Sequence, residues 1–171
     1  MQKEKWYKNP EMLVALTALF IGLVTAAISI YSAYIDRAYA KASVWPRVEI
    51  FRSYNNEGFS YGVSNRGTGP AIIEYAKVSS GNQFLKKWDE LPEFKNISQS
   101  HFSNITLPSG QTVNPVKYKG ELISDVLTLD KKIQIEICYC SIYGDCWIVK
   151  RSNETQPTEA CSVISEQAFA Q

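Results

Sequence analysis

Between Glu11 and Asp36 the chain carries no charged side chain, and Met12 to Ile35 reads as one continuous apolar and small-residue run. At about 1.5 Å of rise per residue, a helix over this run covers roughly 36 Å, enough to cross a hydrocarbon core of about 30 Å with some tilt. A backbone in lipid has to satisfy its own hydrogen bonds, so the run predicts a single transmembrane helix over 12–35. Arg37, Ala38, Ala40, Lys41 and Ala42 are good helix formers and let it continue a turn or two, until Trp45-Pro46 ends it.

Beyond the proline the period changes from helical to two. Val48 and Ile50, with Arg52 continuing the register, alternate with Arg47, Glu49 and Phe51; Asn55-Asn56-Glu57-Gly58 supplies a turn, and Phe59, Tyr61 and Val63 alternate again. This predicts a hairpin of strands over 47–54 and 59–65. Asn65-Arg66-Gly67-Thr68-Gly69-Pro70-Ala71 reads as a tight turn using the freedom of two glycines, and Pro70 opens an extended run over 71–78. No Lys-Ser/Thr follows these glycines and no helix begins there, which excludes a phosphate-cradling loop.

Ser79-Ser80-Gly81-Asn82 predicts a further turn, Lys86-Lys87-Trp88-Asp89 a short helix before Pro92, 96–104 a polar loop carrying His101, 106–110 a turn and 112–118 a strand. The spacing of Leu122, Val126 and Leu129 suits a helix, while Ile123 and Leu127 leave a strand open. Ile133, Ile135, Ile137 and Tyr139 alternate with Gln134, Glu136, Cys138 and Cys140 in the clearest strand of the chain. Cys146 to Lys150 returns as its partner after Ile142-Tyr143-Gly144-Asp145. The resulting division is a stub at 1–11, the span at 12–35, a juxtamembrane linker at 36–46, a β-sandwich at 47–152 and a polar tail at 153–171, in which only Cys161 looks tethered. The fold class is therefore mainly β, an antiparallel sandwich behind one N-terminal transmembrane helix.

Composition narrows the functional classes. Of 171 residues, 18 are basic and 17 acidic, a net charge of +1 without a long basic run, which excludes a nucleic-acid surface. All four cysteines, Cys138, Cys140, Cys146 and Cys161, fall late in the chain, the even count expected of disulfides in an oxidising compartment. Charges flanking the span nearly balance: Lys3, Lys5 and Lys8 precede it, and Arg37, Lys41 and Arg47 follow. The free amino terminus, the length of the C-terminal domain and the cysteines then place the N-terminus in the cytoplasm and the domain outside. Trp6, Tyr7, Tyr31, Tyr34 and Tyr39 have the placement of interfacial aromatic anchors. Ala38-Tyr39-Ala40 has the form of a signal-peptidase site, but the apolar run exceeds a signal's usual core and Asp36-Arg37 interrupts the approach.

Within the span, Ala15, Ala18, Gly22, Thr25, Ser29 and Ser32 follow a 3-4-3-4-3 spacing and line one seam. Close backbone approach across small residues is a principal means of helix association in lipid, so the seam predicts a protein partner or a second copy. The bulky Leu13, Leu16, Leu19, Phe20, Leu23 and Ile30 largely occupy other faces.

For the cysteines, Cys140 can lie opposite Cys146 across the hairpin, leaving Cys138 for Cys161; a Cys138–Cys146 bridge is one register step away. The C-x-C-x5-C-x14-C spacing lacks the paired knuckles of structural zinc, so neither a metal nor another cofactor is expected. The lone His101 has no nucleophile elbow or paired carboxylate to work with, so no catalytic residue is expected.

Asn-x-Gly-x-Gly-Pro-Ala at 65–71 and Tyr139-Cys140-Ser141 followed by Cys146-Trp147 resemble patterns in uncharacterised bacterial single-pass envelope proteins with an immunoglobulin-like domain. The resemblance implies an immunoglobulin-like fold and a place in the inner membrane with the domain in the periplasm, and attaches no activity. It also makes the sequons at Asn96, Asn104 and Asn153 chance occurrences. The expected role is a non-enzymatic, partner-binding or accessory subunit of a membrane complex, without a small-molecule substrate. A pilin-like subunit is the alternative, but counting Glu11 as the fifth mature residue puts Trp6 where a small residue should precede the cut. A secreted domain freed by signal cleavage is the other.

Overall fold

The computed structural model describes residues 10–94, 97–121 and 123–170. It divides into a helical unit and a folded domain that begins at Ser43. Helix α1 runs Pro10–Ser43, 34 residues, and buries none of its side chains. Pro10 occupies the first turn, where its missing N–H costs nothing, and Glu11 and Lys41 sit at the ends where their charges oppose the helix dipole. α1 is long and apolar enough to cross a bilayer. It outruns the predicted span because nothing between Asp36 and Ser43 breaks a helix. The basic and aromatic residues of the stub, Lys3 to Lys8, lie outside the described residues.

The domain is a sandwich of two antiparallel sheets. One has the strand order β1 (Val48–Tyr54), β2 (Gly58–Asn65), β7 (Thr112–Lys119), β5 (Ile97–Gln99). The other runs β10 (Thr155–Thr158), β9 (Cys146–Lys150), β8 (Ile133–Cys140), β3 (Ala71–Ser80), β4 (Gln83–Leu85), with β6 (Ile105–Leu107) also paired to β3. The predicted first hairpin forms in continuous register from Val48 opposite Asn65 to Tyr54 opposite Phe59. Its turn is held by Asn55, whose Oδ1 accepts the amides of Glu57 and Gly58 at 2.9 and 2.8 Å. The ambiguous stretch before β8 resolves as helix α2, Ile123–Asp130, because Ile123, Val126 and Leu129 fall on one face and bury there. Leu122 lies outside the described residues.

Both sheets feed one core. Val48, Ile50, Phe59, Tyr61 and Val63 come from β1 and β2, and Ile73, Val78, Ile133, Ile135, Ile137 and Tyr139 from β3 and β8. The predicted short helix is a pair of 3₁₀ turns, Trp88–Glu90 and Pro92–Phe94, which drop Trp88 and Phe94 fully into that core. Trp88 stacks on Tyr61 with centroids 5.6 Å apart, and its indole N–H finds no acceptor among the described residues.

Three expectations are corrected. The stretch read as a turn at 106–110 starts inside β6, where Thr106 and Leu107 pair with Ile72 and Ala71, and turns only after Leu107. The polar loop at 96–104 contains β5, and Phe102 and Ser103 are buried within it; one aromatic in a polar stretch gave no period to read. The tail is more than a tether for Cys161. β10 extends the second sheet from Thr155 opposite Val149 to Thr158 opposite Cys146, and the chain end returns to the core. Phe169 is 3% exposed, packs 5.1 Å from Trp88 and 5.5 Å from Phe102, and its amide donates to Ala76 O at 2.8 Å. Ala170 N donates to Lys86 O at 3.0 Å, while Lys86 Nζ reaches the carbonyls of Ser165 and Ala168.

This placement makes the chain end part of the folding unit. Phe169→Ala should lower the unfolding free energy by roughly 3–5 kcal/mol, the usual cost of emptying a buried phenylalanine site. Chemical denaturation measures it, and a loss under about 1 kcal/mol would show the terminal segment to be dispensable.

Candidate functional site

The domain's entry segment is bound by the stretch at 65–71. Asn65 is fully buried, and its side chain makes four hydrogen bonds. Oδ1 accepts the amides of Arg47 at 3.1 Å and Gly67 at 3.0 Å, and Nδ2 donates to Gly69 O at 2.8 Å and Leu107 O at 3.0 Å. The amide of Arg66 donates to Arg47 O at 2.7 Å, and that of Thr68 to Trp45 O at 2.9 Å. The two glycines serve this contact. Neither has a positive φ; instead a Cβ on Gly67 would stand 2.2 Å from Trp45 O, and one on Gly69 2.0 Å from Val44 O. The glycines read as turn makers are there so that the incoming chain can lie flat against the loop.

That arrangement seats Trp45 on the second sheet. Its ring stacks on Trp147 at 5.6 Å, and Trp147 in turn lies 5.8 Å from Tyr139, its cross-strand neighbour. Between the entry segment, the 66–68 loop and β10 a cleft of about 560 Å³ opens, lined by Trp45, Arg47, Arg66, Thr68, Tyr139 and Thr155 among others. Tyr139 forms its floor. Burial pushes its phenol above the ordinary range, against the hydrogen bonds from the Val48 backbone and Thr155 and the nearby Arg47 charge. Asn153 closes one side. It sits at φ 61°, and its side chain both accepts from Ile50 N at 2.7 Å and donates to Ile50 O at 2.9 Å, pairing with the edge of β1 as a strand residue would. Asn96 lies outside the described residues.

A second constellation is buried. Asp130, at the end of α2, has a side chain with 0% exposure. It accepts hydrogen bonds from Tyr61 on β2 and Arg52 on β1, and from Arg151 Nη2 at 2.7 Å. Arg151 Nη1 also donates to the carbonyls of Asp130 and Ile133. Burial, and secondarily the hydrogen bond to Asp130, raises the Tyr61 phenol far above its usual value. The carboxylate, held by two guanidiniums and a phenol, joins elements of both sheets.

The residues singled out from sequence fall in three places. Cys140 is bonded to Cys146, its register partner, with Cα atoms 4.0 Å apart, and Cys138 to Cys161 at 5.7 Å. The two bridges touch, with Cys140 Sγ 3.7 Å from Cys161 Sγ. The sulfurs of Cys140, Cys146 and Cys161 lie within 4.8 Å of one another, as metal ligands would, but as disulfides they have no thiolate to offer. Ala15, Ala18, Gly22, Thr25, Ser29 and Ser32 are all exposed on α1. A Cβ on Gly22 would meet nothing within 4 Å, and the hydroxyls of Thr25 and Ser29 bond to their own helix, Thr25 to Ile21 O and Gly22 O at 2.9 Å and Ser29 to Thr25 O at 2.8 Å. His101 is exposed, just before the buried Phe102.

Sequence reasoning missed the Asp130 cluster, whose members are far apart in the chain, and the Trp45 cleft, since Trp45 was read only as a helix end. Two stretches singled out in the sequence, 65–71 and 139–147, contribute to its surroundings: Arg66, Gly67, Thr68 and Tyr139 line it, and Trp147 stacks on Trp45. No protein-family model matches the chain, and comparison with curated proteins and with solved structures gives no significant match.

The raised phenols carry a pH dependence. Tyr61 and Tyr139 are raised chiefly by burial, as is Tyr75, which burial and the neighbouring Glu136 push up to about 12. Unfolded tyrosines ionise near pH 10, so this contribution to stability is whole below that pH and is lost as the pH climbs toward the folded values. The urea midpoint should therefore fall between about pH 10 and pH 12. Tyr61→Phe should flatten the fall; an equal fall in the variant would mean that Tyr61 takes no part in it.

Proposed function

We propose that this chain is a non-enzymatic, single-pass protein of the bacterial inner membrane that presents a disulfide-stabilised, immunoglobulin-like domain in the periplasm, as an accessory subunit joined to a membrane partner through α1. The observation that carries this reading is the pairing of a membrane-length helix that buries none of its own side chains with a domain that closes its core without it. Such a helix has its use in a bilayer. Two disulfides in the domain favour the oxidising side of that membrane.

Retention of the helix is supported by its continuity through Ala38-Tyr39-Ala40, the stretch that signal cleavage would need to reach. A non-enzymatic role is supported by the one histidine lying exposed and by Asp130, the buried carboxylate, being held in a structural cluster. The seam on α1 suits a partner helix, because Gly22 leaves its backbone open and Thr25 and Ser29 have hydroxyls already satisfied.

Gly22→Ile should weaken association while leaving insertion intact, since the helix stays apolar but backbones can no longer approach. Crosslinking in isolated membranes should show the partner band, whether a second copy or another protein, reduced by about tenfold. Equal yields from the variant and the parent would contradict pairing through this face.

A further inference from the structure

We propose that the cleft over Tyr139 is a binding site for a small anionic ligand, one carrying a phosphate or carboxylate head on an apolar or aromatic body. It is independent of the helix pairing proposed above. At about 560 Å³ the cleft falls in the ordinary size range of ligand pockets. Its chemistry is asymmetric. Arg47 and Arg66 are among the lining residues, and no carboxylate lines the cavity. Arg47 meets Glu49 through Nε at 3.1 Å, and the Arg66 side chain makes no ion pair with any of the described residues. A guanidinium without a protein acid beside an apolar wall matches the head of an anion, which it can grip through two parallel N–H donors.

The wall is Trp45, 55% exposed although it stacks on Trp147. An indole stacked on a neighbour and still half exposed offers a ligand body contact area at little entropic cost. The Tyr139 phenol and the Thr155 hydroxyl, which bond to each other, are the polar groups of the lining that would fix orientation. The local construction also favours a preformed site. Gly67 and Gly69 admit no side chain because the Val44–Arg47 segment lies against them, and that contact is what places Trp45 and Arg47 at the cavity. Asn153, in a left-handed conformation, fixes the opposite side to β1. A local constraint of this kind is commonly met at ligand clamps.

The test uses the full chain in phosphatidylcholine nanodiscs, titrated with phenyl phosphate and, separately, benzoate, with benzyl alcohol as the uncharged control. Tryptophan fluorescence should change saturably with at least one anion and not with the alcohol. Arg66→Gln should weaken that binding by about tenfold or more, the effect expected of one charge-assisted contact, with an unchanged thermal midpoint. Trp45→Leu should weaken the aromatic anions more than inorganic phosphate. Repeating the titration in nanodiscs containing phosphatidylglycerol identifies the source of the anion: lost phenyl phosphate binding assigns the cleft to a lipid headgroup, and unchanged binding assigns it to a soluble ligand. No saturable change up to millimolar anion, or equal affinity in Arg66→Gln, would overturn the proposal.

Discussion

The side chain of Asn65 is the contact on which the rest of the domain's entry depends. A buried amide that left even one of its groups unpaired would cost on the order of 1–3 kcal/mol, and Asn65 pairs all four of its hydrogen-bonding positions. In doing so it joins the first residue of the entry segment it can reach, Arg47, to the glycine loop and to β6. Aspartate would lose the two donors to carbonyls, and leucine would lose everything. With Asn65 in place, Gly67 and Gly69 bring the entry segment into backbone contact, Trp45 stacks on Trp147, and the cleft acquires its wall. The chain leaves α1 and is captured within a few residues.

At the other end of the chain the same need for closure is met covalently. β10 and the segment after it have little apolar surface of their own, and β10 contains Pro157, a residue tolerated at a sheet edge. The Cys138–Cys161 bridge holds this segment to β8, and Phe169 then supplies the anchor its composition otherwise lacks. On a loop-entropy view the longer bridge contributes about 3 kcal/mol and the Cys140–Cys146 bridge roughly 2. The domain's outermost strand therefore depends on an oxidising environment more than its core does. The Asp130 cluster works in the opposite sense, from the inside, joining β1, β2, α2 and the end of β9 through one carboxylate.

Period was what the sequence expressed most clearly. The uncharged run of α1, the alternation of Val48 and Ile50 against Phe59, Tyr61 and Val63, and the isoleucines of β8 each recur at a spacing that only one element satisfies. The Cys140–Cys146 pairing followed from the hairpin register. Contacts without a period were hidden. Phe102 and Phe169 are single aromatics in polar stretches, and Arg52, Tyr61, Asp130 and Arg151 lie far apart in the chain and meet only in the tertiary structure. The glycines at 67 and 69 were visible as special residues, but their reason was not: free rotation and close approach look alike in a sequence, and the observed φ angles separate them. The cleft was hidden for the same reason, since Trp45 acquires its neighbour only through that approach.

The proposed placement of an oxidised sandwich outside the membrane on a retained helix is tested most directly by the state of its sulfurs in the living cell. Protein quenched in acid straight from cells and alkylated without reductant should take up no label at Cys138, Cys140, Cys146 or Cys161, and should take up label at all four after reduction. Its intact mass should still include α1. Free thiols at all four positions in the unreduced sample would contradict the claim, because they would place the domain in a reducing compartment.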